Sequence, residues 1–262
     1  MKGIILAGGS GTRLKPLTDV ICKQLLPVYN KPMIFYPLST LLLAGIDDVL
    51  VICNPSDLEN FKNLLGDGTN FSIKISYEIQ LKPEGIAQSI LIAETFLEGE
   101  PFCLILGDNL IYGQGFGRNL KNYTSNQGAT IFAYKVSNPK DFGIVEFDQE
   151  GKPLRIVEKP TSTESSWAVP GLYFYDDSAI NRAKKLTPSN RGELEITDLN
   201  HLYLDDGKLT VLRMPLGTAW LDLGTPKSLL DAGLFIQLLE ERQGLRIGDP
   251  YEISREFPIR KS

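Results

Sequence analysis

The sequence predicts an α/β protein whose doubly wound sheet is mixed but mainly parallel and carries a β-rich insertion. In the first half, short and continuously apolar runs alternate with helical patterns, which is typical of strand–helix–strand units. The run 3–6 lacks the alternation of a half-exposed strand, so it is expected to be buried on both faces, whereas Ile73, Ile75 and Tyr77 alternate. The second half departs from this rhythm. No internal repeat or low-complexity linker interrupts the 262 residues, which favours one domain.

Four strands and three helices are predicted in the first half. The strands occupy residues 3–6, 49–53, 73–77 and 102–106, and the helices occupy 32–45, 56–66 and about 86–96. Pro32 opens the first helix and Gly45 ends it, while Pro37 inside it predicts a kink. Ser56 and Glu59 have the spacing of a capping box at the start of the second helix.

The second half begins with a hairpin pattern, because the apolar runs 144–147 and 152–156 flank a turn-like segment. Further strands are predicted at 171–175 and 209–214, and helices at 178–186 and 195–206. Thr225 and Pro226 are suited to begin a final long helix, as its N-cap and its first residue.

Composition and charge exclude several classes of protein. Lys and Arg number 27 against 32 Asp and Glu, a net charge of −5, whereas proteins that bind nucleic acid usually present a basic face. With 42% hydrophobic and 23% charged residues, the chain has the composition of a globular protein. No apolar run approaches the ~20 residues that span a bilayer. We therefore expect a soluble, cytoplasmic protein with no nucleic-acid or membrane partner, although a local cluster of Lys and Arg could bind a phosphorylated metabolite.

Cysteine and histidine are too scarce for several kinds of chemistry. Cys22, Cys53 and Cys103 are too few for a disulfide scaffold, and Cys53 and Cys103 lie in apolar runs typical of a core. His201 is the one histidine, so a poly-His zinc site is impossible and any Ser-His or Cys-His mechanism would depend on it. Its neighbours Leu199 and Leu202 favour a structural role. These features fit a reducing cytoplasm.

A glycine-rich segment with Gly8, Gly9 and Gly11 directly follows the first strand. Glycines let the backbone approach a ligand and turn its N–H groups toward an anion, and ligands of doubly wound sheets lie at the carboxyl ends of strands. A simple tight turn explains the glycines equally well. Leu14 stands where a dinucleotide fingerprint needs Gly or Ala, and no Lys-Ser/Thr pair closes a Walker loop. A nicotinamide-dependent oxidoreductase is therefore excluded.

Two cations and two acids are candidates for chemistry beside this segment. Arg13 could grip phosphate oxygens in a fork, and Lys23 could act as a movable point charge, unless both are solvated surface side chains. Asp108 and Asp222 each follow an apolar run next to a glycine, where a turn-forming role is the plain alternative. Two carboxylates together with phosphate oxygens are a usual way to hold Mg²⁺.

Beyond these single features, a series of motifs in a fixed order covers nearly the whole chain, to about residue 245. The motifs are Gly8-Gly9-Ser10-Gly11-Thr12-Arg13-Leu14, Lys23-Gln24-Leu25-Leu26-Pro27-Val28, Lys31-Pro32-Met33-Ile34, Gln80 with Gly85-Ile86-Ala87-Gln88, Leu106-Gly107-Asp108-Asn109, Phe142-Gly143, Glu158-Lys159-Pro160, Arg191-Gly192-Glu193-Leu194-Glu195-Ile196-Thr197-Asp198 and Ala219-Trp220-Leu221-Asp222. In this order the series resembles the sugar-1-phosphate nucleotidylyltransferases.

The resemblance implies a Rossmann-like nucleotidyltransferase fold. A single domain would cover residues 1–245, with a nucleotide-binding part at about 1–128, a sugar-binding part at about 129–225 and a C-terminal tail at 246–262. It implies that dTTP and glucose 1-phosphate give dTDP-glucose and pyrophosphate by direct in-line attack with Mg²⁺ assistance. Because two polyanions must meet, positioning and electrostatic stabilisation would supply most of the catalysis. A homo-oligomer, either a dimer or a tetramer, is also implied.

The resemblance also implies a role for each matching residue. Arg13, Lys23, Asp108, Lys159 and Asp222 would be catalytic, with Asp108 and Asp222 as the metal ligands. The nucleotide would be bound by Gly8, Gly9, Ser10, Gly11, Thr12, Arg13, Gln24, Gln80 and Gly85, and the sugar phosphate by Gly143, Glu158, Lys159 and Val169. Gln80 would read the base edge with the backbone of Gly8 and Gly85, because an amide donates and accepts in one plane.

Two alternatives to this activity stay open. Thymine and uracil differ by one methyl, worth only ~1–3 kcal/mol in a pocket, so UTP is an alternative substrate. A catalytically silent sugar-nucleotide-binding relative is the other, although Arg13, Asp108, Lys159 and Asp222 are all present.

Four features differ from the family's usual pattern. Phe142 replaces a common Tyr near the sugar, and Leu223 follows the metal aspartate where Thr is usual. Leu216 stands where an Arg often serves a second, regulatory nucleotide site, and relatives carry a longer helical tail past the position of Ser262. The sequence therefore does not predict feedback inhibition by a downstream deoxysugar nucleotide.

Overall fold

A computed structural model describes residues 1–9, 11–123 and 127–257. By their internal contacts these residues form two compact units. Unit 1 contains the described parts of 1–83, 105–122 and 217 onward, and unit 2 contains those of 84–104 and 123–216. Both units mix strands with helices, so the predicted α/β class is confirmed. Within the described ranges, every helix is too short or too polar to cross a lipid bilayer.

The described strands and helices are numbered here along the chain. The strands are β1 Lys2–Ala7, β2 Pro27–Val28, β3 Lys31–Pro32, β4 Asp48–Cys53, β5 Lys74–Ile79, β6 Phe102–Leu106, β7 Asn109–Tyr112, β8 Ala129–Lys135, β9 Gly143–Phe147, β10 Pro153–Glu158, β11 Trp167–Ala168, β12 Leu172–Tyr175, β13 Leu209–Arg213 and β14 Ala219–Asp222. The helices are α1 Phe35–Leu43, α2 Leu58–Leu65, α3 Gln88–Ile92, α4 Glu94–Leu97, α5 Phe116–Asn119, α6 Ala179–Ala183, α7 Ile196–Asp205, α8 Pro226–Gln243 and α9 Pro250–Glu256.

Unit 1 contains the parallel strands that the apolar runs predicted. β1 pairs in parallel with β4, and β4 with β5. All six residues of β1 are buried, as expected for a strand covered on both faces. Gly107, which directly follows β6, donates its N–H to the carbonyl of Leu6 at 2.9 Å. The end of β6 therefore lies beside the end of β1, and the loops that follow both strands emerge at the same edge.

The first predicted helix is wrong at its start. Residues 31–32 pair with 27–28 as the short ladder of β2 and β3, and α1 begins only at Phe35. Pro37 is therefore the third residue of α1, in the first turn, where a backbone N–H has no intrahelical acceptor. The reason for a kink at Pro37 is thus absent. Gly45 has a φ of +79° and follows the helix end, as its stop signal predicted.

The predicted capping box of the second helix is also wrong. A 3₁₀ turn at Pro55–Asp57 leads into α2, with Asn54 extended ahead of it. Ser56 consequently lies inside this turn instead of before the helix, and α2 has no side-chain cap. Glu59 forms an ion pair with Lys62 at 3.1 Å.

Most of the predicted β-rich segment lies in unit 2, which also contains residues 84–104. Its strands have the order β10-β9-β11-β8-β12, with β13 parallel to β8. The predicted hairpin is confirmed by the antiparallel pair β9 and β10. The predicted helix at 86–96 is two short helices, α3 and α4, separated at Ala93. The predicted helices at 178–186 and 195–206 are the shorter α6 and α7, and β8 was not predicted at all.

Two helices end the described chain in unit 1. α8 begins with a capping box in which Thr225 and Ser228 each accept the other's backbone N–H, which confirms the predicted helix start. One face of α8 packs Ala232 and Ile236 into a core cluster. The segment predicted as a tail contains α9, whose N-cap Asp249 accepts from Tyr251 N–H at 2.9 Å.

Candidate functional site

The glycine-rich loop after β1 needs its glycines for different reasons. Gly9 and Gly11 have φ values of +109° and +57°, which residues other than glycine rarely adopt. A Cβ on Gly8 would lie 2.0 Å from the Oε1 atom of Gln80. The Gln80 amide therefore lies directly against the Gly8 backbone, and the structure brings these two predicted nucleotide-binding residues together. Ser10, also predicted to bind nucleotide, lies outside the described residues.

The two glutamines predicted at the nucleotide are both buried in unit 1. Gln80 is 2% exposed and follows β5, and Gln24 is 3% exposed in the 3₁₀ turn Lys23–Leu25. Gln24 accepts from the Cys22 thiol at 2.8 Å. A Cβ on Gly107 would lie 2.9 Å from the Gln24 Cγ atom. Gln24 is thus packed beside the residue that precedes Asp108.

Strand pairing brings the two candidate metal ligands together. β14 pairs antiparallel with β7, and the register places Asp222 opposite Asn109. The N–H of Leu223 donates to the carbonyl of Asp108 at 3.0 Å. The two aspartates, 114 residues apart in the sequence (222 − 108), therefore lie on adjoining backbone.

The Asp108 carboxylate is held by a largely buried lysine. Lys23 donates to the Asp108 carboxylate, and the two side chains are 14% and 15% exposed. Burial alone would raise the pKa of Asp108, but the Lys23 ammonium and the hydrogen bonds from Lys23 and Asn109 lower it below its ordinary value. A carboxylate that stays charged in a largely buried place is suited to a cation.

A second hydrogen-bond chain links the two aspartate strands. The Trp220 indole donates to Asn109 Oδ1 at 2.6 Å, and Asn109 Nδ2 donates to Asp108 Oδ1 at 3.1 Å. Because an indole N–H can only donate, this contact fixes which end of the Asn109 amide faces Asp108. The sequence motifs contained both residues, but no role for either was predicted. The contact joins residues 111 positions apart, so no local pattern could have shown it.

Arg13 is exposed, and its guanidinium converges with Asp222 on Gly224. A Cβ on Gly224 would lie 2.5 Å from Arg13 Nη2 and 3.2 Å from Asp222 Oδ2. Arg13, Lys23, Asp108 and Asp222 are thus gathered in unit 1. Thr12 begins the exposed 3₁₀ turn that carries Arg13.

The candidate sugar-phosphate residues form a second group within unit 2. The β9–β10 register places Glu158 opposite Gly143, and the Val169 N–H donates to the Gly143 carbonyl at 2.8 Å. Lys159 has a φ of +42°, a strained value for a residue with a side chain, and its Nζ lies 3.8 Å from Glu158. The structure brings all four predicted sugar residues together. The Val169 N–H, however, is already used by Gly143.

Two polar residues beside Glu158 had no predicted role. Thr197 donates to Glu158 Oε2 at 2.7 Å, and Arg191 lies 3.5 Å from Glu158 Oε1. Arg191 also binds Glu195 through contacts of 2.9 and 2.8 Å. Partial burial would lower the pKa of Arg191, but Glu195 and its acidic neighbours raise it. The signal in the sequence was the density of charge in the segment 191–195.

Gly85, predicted at the nucleotide, belongs to unit 2. Its φ is +106°, and a Cβ there would lie 2.3 Å from the Leu194 carbonyl oxygen. Leu194 donates to the Glu84 carbonyl at 2.7 Å, and Ala87 donates to the Leu194 carbonyl at 3.1 Å. Gly85 therefore fixes a close backbone crossing beside the charged segment 191–195.

The scarce histidine and cysteines take structural places. His201 Nε2 lies 2.5 Å from the Ile156 carbonyl oxygen. All three cysteines are buried free thiols, and burial raises the pKa of Cys22 to about 12 and of Cys53 to about 11. None of the three is a thiolate near neutral pH. The three cysteines and His201 are therefore not suited to nucleophilic catalysis.

An α/β sheet with a glycine loop, a lysine and an aspartate pair at the carboxyl ends of its strands is suited to bind nucleotide phosphates. Residues 2–238 match the family model described as "Nucleotidyl transferase", and the chain belongs to this family. The family resemblance seen in the sequence is thereby confirmed, and the chain is a nucleotidyltransferase.

Curated relatives refine this class. The chain is 55% identical over 255 residues to a glucose-1-phosphate thymidylyltransferase of Neisseria meningitidis serogroup A, covering 97% of this chain and 88% of the relative. It is 52% identical over 254 residues to one of Mycobacterium tuberculosis strain H37Rv, with the same coverage.

Solved structures agree with this relationship. A Bacillus anthracis structure assigned to glucose-1-phosphate thymidylyltransferase, in complex with sucrose, is 36% identical with a TM-score of 0.85, covering 96% of this chain and 99% of that one. A UDP-glucose pyrophosphorylase complexed with UDP-glucose shares the fold with a TM-score of 0.78 at 24% identity, covering 92% and 99%.

Proposed function

We propose that this nucleotidyltransferase joins glucose 1-phosphate to dTTP, giving dTDP-glucose and pyrophosphate. The relatives at 52–55% identity carry the name of that activity. The observation that carries the proposal is the register of β14 on β7, which sets Asp222 beside Asp108 and the lysine that binds it. A sugar phosphate oxygen forms a bond to the α-phosphorus, and the bond from the α-phosphorus to the β-phosphate bridging oxygen breaks. Pyrophosphate leaves with that electron pair.

The aspartate pair is suited to Mg²⁺. Among the described residues, no three of His, Cys, Asp and Glu gather into a metal cluster, so the protein offers two carboxylates here. Mg²⁺ is commonly bound by one or two carboxylates, with water and substrate phosphates completing the shell. Bound to Asp108 and Asp222, it would supply positive charge against the charge that develops on the phosphates.

In unit 1, Lys23 and Arg13 would bind the nucleotide phosphates. Lys23, whose ammonium binds the Asp108 carboxylate, would also bind the reacting phosphates. Arg13, exposed beside Asp222, would neutralise the leaving pyrophosphate through its fork of N–H groups. The glycine loop adds backbone N–H groups at Gly9 and Gly11.

The base and the sugar would be recognised by separate groups. The Gln80 amide, fixed against Gly8, would bind the base edge, with Gly85 contributing backbone. Glu158, whose carboxylate is oriented by Thr197 and Arg191, would accept from sugar hydroxyls. Lys159 would bind the phosphate of glucose 1-phosphate.

We further propose a cytoplasmic homo-oligomer. The substrates implied by the relatives' name are phosphorylated metabolites, which are made and used in the cytoplasm, and the three buried free thiols fit a reducing compartment.

Pyrophosphate release from the purified protein tests the activity. Glucose 1-phosphate and Mg²⁺ would be incubated with dTTP, UTP, CTP, ATP or GTP in turn, and the sugar nucleotide identified by mass spectrometry. We expect dTTP to give the highest kcat/KM, with UTP next because uracil lacks only the methyl of thymine, although UTP also carries a ribose 2′-hydroxyl. No pyrophosphate above a no-enzyme control would overturn the proposal in favour of a silent sugar-nucleotide-binding relative. A higher kcat/KM with UTP would replace it with a uridylyltransferase.

A further inference from the structure

The thiol of Cys22 is buried beside a residue of the candidate nucleotide site. Cys22 directly precedes the 3₁₀ turn Lys23–Leu25 and is buried in unit 1. Its Sγ atom lies 2.8 Å from Gln24 Oε1 and 3.7 Å from the carbonyl oxygen of Ala7, the last residue of β1. The shorter contact is the one to the Gln24 amide. A buried donor thus binds a side chain that was predicted to bind the nucleotide, although no role was predicted for Cys22.

Only one end of the Gln24 amide is bound inside the protein. The Cys22 S–H donates to Oε1, whereas no acceptor for the Nε2 group lies among the residues that the structure describes. Gln24 is 3% exposed, and a polar group in so buried a place usually has a partner. An amide whose oxygen is already bound presents its two N–H donors to a ligand. The free end of Gln24 therefore indicates an acceptor on the nucleotide.

We propose that Cys22 is a positioning residue, whose thiol fixes the Gln24 amide with its two N–H donors toward an acceptor oxygen of the nucleotide. This inference rests on the proposed function, because it needs a nucleotide bound beside Gln24. Packing against Gly107 confines the Gln24 chain at Cγ, but the terminal amide torsion is broad and roughly two-fold. Packing alone therefore leaves either end of the amide free to face the ligand. An S–H donor at Oε1 selects one of the two.

The environment of the thiol suits it to the donor role. Burial raises the pKa of Cys22 to about 12, so the sulfur keeps its proton near neutral pH. A thiol sulfur is a weak acceptor, so the protonated group binds the oxygen end of an amide in preference to the nitrogen end. A thiolate would bind the nitrogen end and turn the amide round. The buried thiol therefore holds one orientation of Gln24.

Titration calorimetry and steady-state kinetics of the full chain test this role. The nucleotide is dTTP or UTP, whichever the wild type binds more tightly. Cys22→Ala removes the donor and should weaken binding and raise KM for that nucleotide about fivefold. We expect kcat and KM for glucose 1-phosphate to stay within about twofold of the wild type, because damage to the turn that carries Lys23 would lower kcat. Cys22→Ser keeps a donor and should restore the affinity of the wild type.

A double-mutant cycle shows whether Cys22 acts through Gln24. Gln24→Ala alone should weaken nucleotide binding about tenfold, and Cys22→Ala added to it should weaken binding by less than about twofold more. Cys103→Ala is the matched control, because it removes another completely buried thiol and Cys103 belongs to neither group of candidate site residues. We expect Cys103→Ala to leave the affinity unchanged.

Circular dichroism would establish that each variant folds; if Cys22→Ala does not, Cys22→Val, which also lacks a donor, replaces it. Three results overturn the role of Cys22: an unchanged affinity in Cys22→Ala, a full fivefold loss on the Gln24→Ala background, or a Cys22→Ser no better than Cys22→Ala. A wild type that binds nucleotide but releases no pyrophosphate overturns the proposed activity alone, and the binding constants then still decide the role of Cys22. A wild type that binds neither dTTP nor UTP overturns both.

Discussion

The two groups of candidate site residues hold their charges in different ways. In unit 1, Lys23 and Asp108 are 14% and 15% exposed and bind each other. In unit 2, Lys159 and Arg191 are 48% and 41% exposed, and several partners share the Glu158 carboxylate. One group is a buried pair with fixed partners, and the other is an open cluster in contact with water.

This difference follows the chemistry each group is proposed to perform. A charge acts more strongly where water is scarce, so a phosphate-transfer centre gains from a buried lysine and aspartate. A sugar is recognised through hydroxyl groups, and a carboxylate oriented by Thr197 and Arg191 can accept from them without being buried. We therefore expect changes at the aspartate pair of unit 1 to act on turnover and changes at Lys159 of unit 2 to act on the affinity for one substrate.

The largest expected effect is on turnover, from the aspartate pair. Asp222→Asn and Asp108→Asn keep the side-chain shape but remove a charge, and each should lower kcat by about 100-fold or more. Mn²⁺ binding measured by electron paramagnetic resonance should weaken in both. Asp47→Asn, an exposed aspartate of unit 1, is the control and should change neither quantity. Near-normal turnover in either site variant would remove that aspartate from the proposed metal site.

Lys159 should show the opposite pattern. Lys159→Ala removes the cation proposed to bind the sugar phosphate, so kcat/KM for glucose 1-phosphate should fall about 30-fold while KM for dTTP changes little. Lys152→Ala is the matched control, because Lys152 is 74% exposed in the same unit and pairs with Glu150. Equal losses for both substrates would contradict the division of roles between the units.

Local sequence patterns predicted the parts of the fold that depend on residues close together in the sequence. The strand 3–6 could be recognised because a strand buried on both faces needs continuous apolar residues. The loop after it could be recognised because positive φ values require glycine. The capping box predicted at Ser56 was wrong because Pro55 begins a 3₁₀ turn that includes Ser56. A shift of one residue in the start of a turn moves Ser56 from a capping position to a position inside the turn. Strand β8 was missed although its sequence favours a strand, with turn-forming Gly128 before it and Asn138-Pro139 after it.

Contacts between distant residues were beyond prediction. The motif that ends at Asp222 contained Trp220, but its hydrogen bond to Asn109 depends on the register of β14 on β7. Thr197 reaches Glu158 only because α7 lies along β10. The resemblance gave the residues that touch substrate, whereas the residues that orient them appear only when the strands are paired.

Gly8 offers a smaller and more selective effect in unit 1. Gly8→Ala would place a methyl 2.0 Å from the present position of Gln80 Oε1, so the buried amide must move. Losing its hydrogen bonds to the base should raise KM for dTTP about tenfold with less change in kcat. Gly233→Ala is the control, because its Cβ meets only ordinary contact at 3.6 Å. Gln80→Ala should reproduce the effect, and an unchanged KM in both would exclude Gln80 from base recognition.

The smallest expected effect concerns stability, and it tests whether the buried pair of unit 1 is as fixed as its geometry indicates. Lys23→Met should destabilise the fold by about 1 kcal/mol at neutral pH, since Asp108 keeps Asn109 as a donor but loses its cation. In the wild type, Lys23 holds the pKa of Asp108 below its ordinary value of 3.8, so the pair stabilises the fold above that pH and ceases to do so as the carboxylate protonates.

The difference between wild type and Lys23→Met should therefore be largest near neutral pH and narrow toward acid, beginning above pH 3.8, because the partly buried Asp108 of the variant has lost the cation that lowers its pKa. Urea unfolding across this range would measure it. Lys15→Met, which removes the exposed ion pair with Asp19, should show little difference at any pH, because exposed pairs contribute little. A difference that widens toward acid would mean that Lys23 does not stabilise the ionised form of Asp108, and the contrast between the two units would lose its physical basis.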